Sequence, residues 1–278
     1  MTARILAASV AALMTAAPAC ALTTFAHTKY STGFETGLDG WTDFSGGTVE
    51  RIATPLAHQG GWLALARGGE TSLNGPFSMM GGAQSVWTGD WAVQTAIYLN
   101  TAWAPGTGFE YSVAANGSDG AHQRDFVFNV ARDADTGTVL VNASNNSTGD
   151  GVGAPANLDT QTGPASLEVT TSGWYVFEHV FRDVAGLLSV EMNLFGEGDL
   201  NTALFTETRG PDPEDQIPFA VGGNRYAWFS TVDLDVGIAF DSVTMTESLA
   251  SAVPVPAALH LLAGGLGLMG LVCRRRRA

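Results

Sequence analysis

The feature that most constrains this chain is a two-residue rhythm of apolar side chains. Leu188, Val190, Met192 and Leu194 alternate with Ser189, Glu191, Asn193 and Phe195. Trp91, Val93, Thr95, Ile97 and Leu99 alternate with Ala92, Gln94, Ala96 and Tyr98, and Phe126, Phe128 and Val130 with Val127, Asn129 and Ala131. Successive side chains of a strand point to opposite faces, so this rhythm lays one face of each strand on a core. No span of 12 or more residues between Leu22 and Leu249 holds a convincing 3.6-residue period. Further strands are predicted around 48–54, 62–67, 109–115, 138–143, 174–182, 203–208, 226–232 and 236–246. Turns rich in Gly and Asx separate them, as at Asn116-Gly117, Gly149-Asp150-Gly151 and Glu197-Gly198-Asp199. Residues 143–163 make the longest polar loop. About a dozen strands with close turns predict an all-β, two-sheet antiparallel sandwich.

The two ends have a different character. Arg4, the apolar run Ile5 to Ala17 and the small residues Ala19-Cys20-Ala21 have the order of a secretory signal peptide cut before Leu22. A lipoprotein signal using Cys20 would want a leucine ahead of it, where Ala17-Pro18-Ala19 stands. At the other end, Ala257 to Cys273 is 17 residues without a charge. As a helix it spans roughly 25 Å, near the lower limit for crossing a bilayer core. Arg274, Arg275, Arg276 and Arg277 follow and would hold the C-terminus in the cytoplasm. The expected division is a leader over 1–21, a β-sandwich over 22–249 and a tail over 250–278.

Both cysteines, Cys20 and Cys273, fall in the end segments. The exported part therefore has no disulfide framework and no thiolate chemistry, and must rest on its own core. Arg4 and the tail arginines also fall outside it, which leaves 8 cations against 27 acids, a net charge of −19 with Lys29 as the sole lysine. Such a surface disfavours nucleic acid and anionic lipid as partners.

Val253-Pro254-Val255-Pro256-Ala257, the glycine-rich apolar helix and the arginine cluster together resemble the VPxPA-CTERM sorting signal, a relative of the PEP-CTERM signals. That resemblance implies an exosortase-type processing enzyme as a partner. It also implies transient anchoring in the inner membrane of a Gram-negative bacterium, cleavage near the Val-Pro segment, and delivery to the cell surface or extracellular matrix. An ordinary single-pass anchor is the alternative.

The segment Trp174 to Phe181, a turn at Asp183 to Gly186, and Leu187 to Phe195 resemble a hairpin of the concanavalin-A-like, or laminin-G-like, jelly roll. Phe34-Glu35-Thr36-Gly37-Leu38-Asp39-Gly40-Trp41 resembles the first strand and turn of jelly-roll carbohydrate-binding modules and MAM-type domains, and Gly237 to Val243 their last strand. The resemblance implies a structural Ca²⁺ held by Glu35 and Asp241. On residue type alone, Glu35 could instead accept turn amides and Asp241 satisfy a bulge.

For ligand binding, Asn224, Arg225, Tyr226 and Trp228 are the candidates. Two-residue spacing would send Tyr226 and Trp228 to one face as a stacking platform for polysaccharide, with Asn224 and Arg225 at its edge. Core packing is the other reading of the same aromatics. Catalysis finds little support. The alternating Glu-x-Asp-x-(x)-Glu carboxylates of jelly-roll glycosidases are missing, Asp233, Asp235 and Glu207 being the nearest approach. His27, His58, His122 and His179 have no zinc spacing. Asp133-Ala134-Asp135-Thr136-Gly137 places its glycine one position early for a calcium loop, so a hairpin turn is expected there. The expectation is a non-enzymatic surface or matrix protein that binds polysaccharide, with a ligand-free structural component as the alternative. A glycan-active enzyme with an unrecognised site comes third.

Overall fold

The structure, a computed structural model, describes residues 20–69, 73, 75–147, 166–210 and 216–248. The leader to residue 19, the Val-Pro segment, the apolar tail and the arginine cluster lie outside the described residues, as do the turn expected at Gly149 to Gly151 and the expected polar loop beyond 147; residues 143–147 of that loop are strand instead. A unit ending at Ser248 is compact by itself.

The described residues hold strands and no helix. The strands are β1 (His27–Thr32), β2 (Trp41–Thr42), β3 (Thr48–Ala53), β4 (Trp62–Arg67), β5 (Phe77–Ser78), β6 (Trp91–Leu99), β7 (Gly108–Gly117) and β8 (His122–Arg132). They continue with β9 (Val139–Ser147), β10 (Leu167–Val169), β11 (Gly173–Val184), β12 (Leu187–Gly196), β13 (Phe205–Arg209), β14 (Val221–Gly222), β15 (Ala227–Asp233) and β16 (Ile238–Glu247). One sheet runs β13-β12-β11-β6-β16-β4-β3, and the other β10-β9-β8-β7-β15-β5-β2 with β14 on β7. Every pairing is antiparallel.

The rhythm read from sequence sets the faces. Trp91, Val93, Ile97 and Leu99 of β6, Leu188, Val190, Met192 and Leu194 of β12, and Phe126, Phe128 and Val130 of β8 all enter the core between the sheets. Trp91 stacks on Phe181 at 3.6 Å and lies 5.0 Å from Trp87. Each such side chain contributes roughly 1.5–3 kcal/mol by leaving water. The β11–β12 hairpin closes through Ala185 and Gly186, both at positive φ, with Val184 opposite Leu187. Two positive φ values in a two-residue loop match the right-handed twist of the strands it joins.

Strand β16 ties the two ends of the domain together. Its residues 238–240 pair with β4 and its residues 243–247 with β1, on one edge. The register against β6 shifts between Asp241 and Thr244, and Ser242 has φ 48°. That bulge marks the seam where β4 gives way to β1. Phe34 to Gly40 is turn rather than strand, since β1 ends at Thr32; Glu35 therefore lies beyond the first strand.

Candidate functional site

The predicted aromatic platform does not form. Tyr226 is 0% exposed and Trp228 4% exposed, and they lie on opposite faces. Tyr226 precedes β15 and shares the central core with its neighbour Ala227, so the alternation starts one residue too late to bring 226 and 228 together. The Tyr226 ring lies 5.5 Å from Trp87 and 5.7 Å from Trp91. Its hydroxyl donates to Gly223 O at 2.6 Å and accepts Gln84 N at 3.0 Å, while burial pushes the phenol pKa upward. Trp228 faces away from the core, opposite Ser112 of β7. Its Nε1 donates to Gly75 O at 3.0 Å, and the Arg225 guanidinium covers its ring at 4.7 Å. Arg225 also lies 4.8 Å from Phe44 and 5.4 Å from Phe77, so a cation over three rings seals this patch.

Asn224 alone of the four is exposed, and it opens onto a cleft of about 440 Å³. Gln84, Ser85, Asn116, Ser118, Asp119 and Asn224 supply its polar lining, with Ala83, Gly120 and Gly223 between them. The turn between β7 and β8, the loop before Trp87 and the β14–β15 connection build it. Gln84 and Gly223 hold the last two together by reciprocal backbone bonds of 3.0 and 2.8 Å. Gly222 permits this approach: a Cβ there would fall 1.9 Å from Gln84 O. Asn116 Nδ2 donates to Gly120 O at 3.2 Å, which leaves its buried Oδ1 without a hydrogen-bond partner. Among the described residues the lining holds no aromatic ring and no cation, though Lys29 Nζ donates to the Gln84 Oε1 behind it at 3.1 Å; it offers amides, hydroxyls and the carboxylate of Asp119.

Glu35 and Asp241 both serve the loop between β3 and β4. Glu35 Oε1 accepts Gly61 N at 2.9 Å and Trp62 N at 3.2 Å. Asp241 Oδ2 accepts Gln59 N at 3.0 Å, and Oδ1 accepts Ser242 N at 2.6 Å across the bulge. Burial pushes the Asp241 carboxyl above its ordinary range. The carbonyls of Phe34 and Glu35 accept the Arg51 guanidinium, which lies over Trp62 at 3.4 Å. Ca²⁺ needs six to eight oxygens free of competing donors. Amide protons and a fixed cation hold these oxygens instead, so this donor set does not fit the ion. Among the described residues no group of three or more His, Cys, Asp and Glu could hold a metal. The melting temperature is expected to be the same in chelator and in millimolar Ca²⁺; a rise of several degrees with Ca²⁺ would restore the pair as ligands.

Sequence reasoning missed a polar row on the outer face of the second sheet. Thr231, Glu110, Asn129 and Asn142 are cross-strand neighbours. Glu110 Oε2 accepts the hydroxyls of Ser230 and Thr231 at 3.1 and 3.0 Å, and burial raises its pKa. Asn129 Nδ2 donates to Asn142 Oδ1 at 3.0 Å and to Ser144 Oγ at 3.1 Å. The polar positions of the alternation carried the signal, but parity alone does not say which of them meet. At the β8–β9 hairpin, Asp133 Oδ1 accepts the amides of Asp135 and Thr136 at 3.0 and 2.6 Å, the turn expected of that segment.

No protein-family model matches the sequence, and a comparison with curated proteins finds no match. Among solved structures, the chain is similar to the CBM2 module of the evolved Dit of Lactobacillus casei BL23 phage J-1. The identity is 13%, the cover is 81% of this chain and 96% of that one, and the TM-score is 0.44. The Ca²⁺- and mannose-bound exoplasmic/lumenal domain of VIP36 matches at 12% identity over 82% and 94%, TM-score 0.40. An alginate lyase from Klebsiella pneumoniae matches at 10% over 77% and 86%, TM-score 0.34. At scores below one half, none of these assigns this chain an activity, a ligand or a metal.

Proposed function

We propose that this chain is the precursor of an exported, non-enzymatic surface or matrix protein that binds neutral polysaccharide in the cleft around Asn224. The sandwich is read as a jelly roll of the concanavalin-A-like kind, with β1 and β16 side by side. The leader before Leu22 and the VPxPA-type tail would supply export, transient inner-membrane anchoring and exosortase sorting. The observation that carries the binding reading is the cleft's lining. Its amides and hydroxyls match the alternating donors and acceptors of sugar hydroxyls, and a lining without a cation among the described residues suits an uncharged chain. Intact mass of the surface form is expected to show a chain starting at Leu22 and ending before Ala258. On a glycan array the folded protein is expected to bind at least one neutral polysaccharide, and Asn224→Ala and Asp119→Ala each to weaken that binding about tenfold or more, the loss of one or two charge-assisted or neutral hydrogen bonds. Equal binding by both variants would remove the cleft from consideration.

A second reading, a surface or matrix component with no specific ligand, is favoured by the burial of Tyr226 and Trp228. Silence across the array would support it. Turnover of the same polysaccharides would instead support a glycan-active enzyme.

A further inference from the structure

Away from the cleft, a second polar row crosses the outer face of the first sheet. Thr244, Gln94, Glu178 and Asn193 are cross-strand neighbours on β16, β6, β11 and β12. Glu178 and Asn193 are fully buried. Asn193 Nδ2 donates 2.9 Å bonds to both Glu178 Oε2 and Glu191 Oε1, so these two carboxylate oxygens lie no more than about 6 Å apart. Gln94 Nε2 adds a 2.9 Å bond to Glu178 Oε1. Two facing carboxylates at that separation call for a cation. None of the described lysines or arginines forms an ion pair with either; Arg182 lies 4.0 Å from Asp90 and over the Phe25 ring. Asn193 Oδ1 is buried with no hydrogen-bond partner. The site thus has three acceptors and lacks a donor of positive charge.

What covers the row is the chain's own first described segment. Cys20 Sγ donates to Glu191 Oε1 at 3.1 Å, and Thr23 N to Glu178 Oε1 at 2.6 Å. Leu22 N donates to Leu200 O at 2.9 Å, Ala203 N to Cys20 O at 3.0 Å, and Phe25 N to Thr246 Oγ1 at 3.2 Å. Backbone nitrogens of successive residues are under about 4 Å apart, so Leu22 N lies within about 7 Å of Glu178 Oε1. The predicted cut falls at that nitrogen. Hydrolysis of the Ala21–Leu22 bond adds one water. Ala21 leaves as a carboxylate carrying the water oxygen, and the Leu22 nitrogen keeps the electron pair of the broken bond and takes both of the water's protons, becoming an ammonium. The same cut removes the Cys20 thiol from Glu191.

We propose that Glu178, Glu191 and Asn193 form a receptor for the α-ammonium group of Leu22 in the matured chain. The inference rests on the leader reading given above. The ammonium has three donors for the vacated Glu191 oxygen, the Asn193 carbonyl and Leu200 O, and it brings the missing charge. Leader removal would then complete a network across four strands that the precursor holds only in part. Burial already pushes the Glu178 carboxyl above its ordinary range, the condition that a nearby cation relieves.

Chemical labelling of amines tests this with one internal standard, because Lys29 is the only lysine of the sequence. A chain from Leu22 to Ala278 is prepared in detergent by specific proteolysis of a fusion, beside one that starts at Ala21. At pH 8 an acetylating reagent is expected to modify the Leu22 amine about tenfold more slowly, relative to Lys29, than it modifies the Ala21 amine. Its proton affinity should exceed that of an ordinary α-amine of pKa about 8 by a similar factor. Glu191→Gln, at a half-buried position, is expected to restore most of the reactivity, and Glu178→Gln the rest. A Leu22 amine that reacts at the ordinary rate, or whose slow reaction is unchanged in both variants, would overturn the receptor. The N-terminus of the exported form is read separately by mass. A start other than Leu22 would overturn the leader reading, whatever the labelling of the prepared chain shows.

Discussion

Replacing Trp228 with alanine is expected to lower the free energy of unfolding by about 3–5 kcal/mol, the cost of deleting a buried large aromatic. The indole is 4% exposed, its Nε1 bonds Gly75 O, and the Arg225 guanidinium lies over its ring. Alanine would leave Gly75 O without that donor and Arg225 without the inner of its three rings. The adjacent cation–π contact adds about 0.5–1 kcal/mol to the loss. Urea unfolding followed by far-UV circular dichroism measures the change. Trp228→Phe is expected to recover more than half of it, because the ring under Arg225 returns and only the indole bond is missing. A loss below about 1 kcal/mol for the alanine variant would mean that the ring is open to solvent, and the stacking platform would be back in contention. Polysaccharide binding by the fraction that remains folded is expected to be unchanged, since Trp228 does not line the Asn224 cleft.

Trp228 also shows what the sequence could and could not disclose. Alternation fixed the long strands within a few residues, as in β6, β11, β12 and β16. Aspartate and glycine marked the β11–β12 turn at Asp183 to Gly186, and Asn116-Gly117 stand at the end of β7 just before its turn, because few residues accept the backbone angles a tight turn needs. The two-residue strands β2, β5 and β14 were not legible, since a period cannot be seen in two positions. Parity is also relative. It says that Trp228 and Phe229 face opposite ways, but not that the outward side is roofed as well. On both sheets the outer face carries buried polar residues, Glu110 and Asn129 on one, Glu178 and Asn193 on the other. Their burial depends on segments far away in sequence, Cys20 to Phe25 in the case of Glu178. The bulge at Ser242 and the late start of β15 each break a period by one residue, and one residue is enough to move an entire face.

Acidification is expected to unfold this protein through one core histidine. His179 alternates with Phe177 and Phe181 on the inner face of β11 and is 0% exposed. Its Nε2 donates to Phe126 O at 3.0 Å; Nδ1 is buried with no partner, among the rings of Tyr111, Phe128 and Phe181. A neighbouring polar pair, Thr95 Oγ1 and Tyr111 Oη, is bonded to itself at 2.7 Å. A proton on Nδ1 would therefore bury a cation with no acceptor, and this desolvation pushes the imidazole pKa down to about 3. The unfolded chain titrates at about 6.5, so between 6.5 and 3 the unfolded state binds the extra proton. The contribution is complete above pH 6.5 and is lost as pH falls, approaching about 1.4 kcal/mol per pH unit. From pH 6.5 to 4.5 the loss amounts to about 2 kcal/mol. Glu110, Glu178 and Asp241 act in the opposite sense. Burial raises their carboxyls, so the folded state holds protons that the unfolded state releases, and their contribution is present at low pH and lost as pH rises. The parent's pH profile is the sum of both, and a variant separates them. His179→Leu removes the imidazole and keeps a side chain of the core's own kind; it forfeits the bond to Phe126 O and so is less stable at neutral pH. Its disadvantage is expected to shrink by about 2 kcal/mol between pH 6.5 and 4.5, as the parent loses its histidine contribution and the variant has none to lose. Urea midpoints at several pH values decide the matter, and a constant difference across that range would mean that His179 is hydrated and titrates in the folded protein as it does in the unfolded chain.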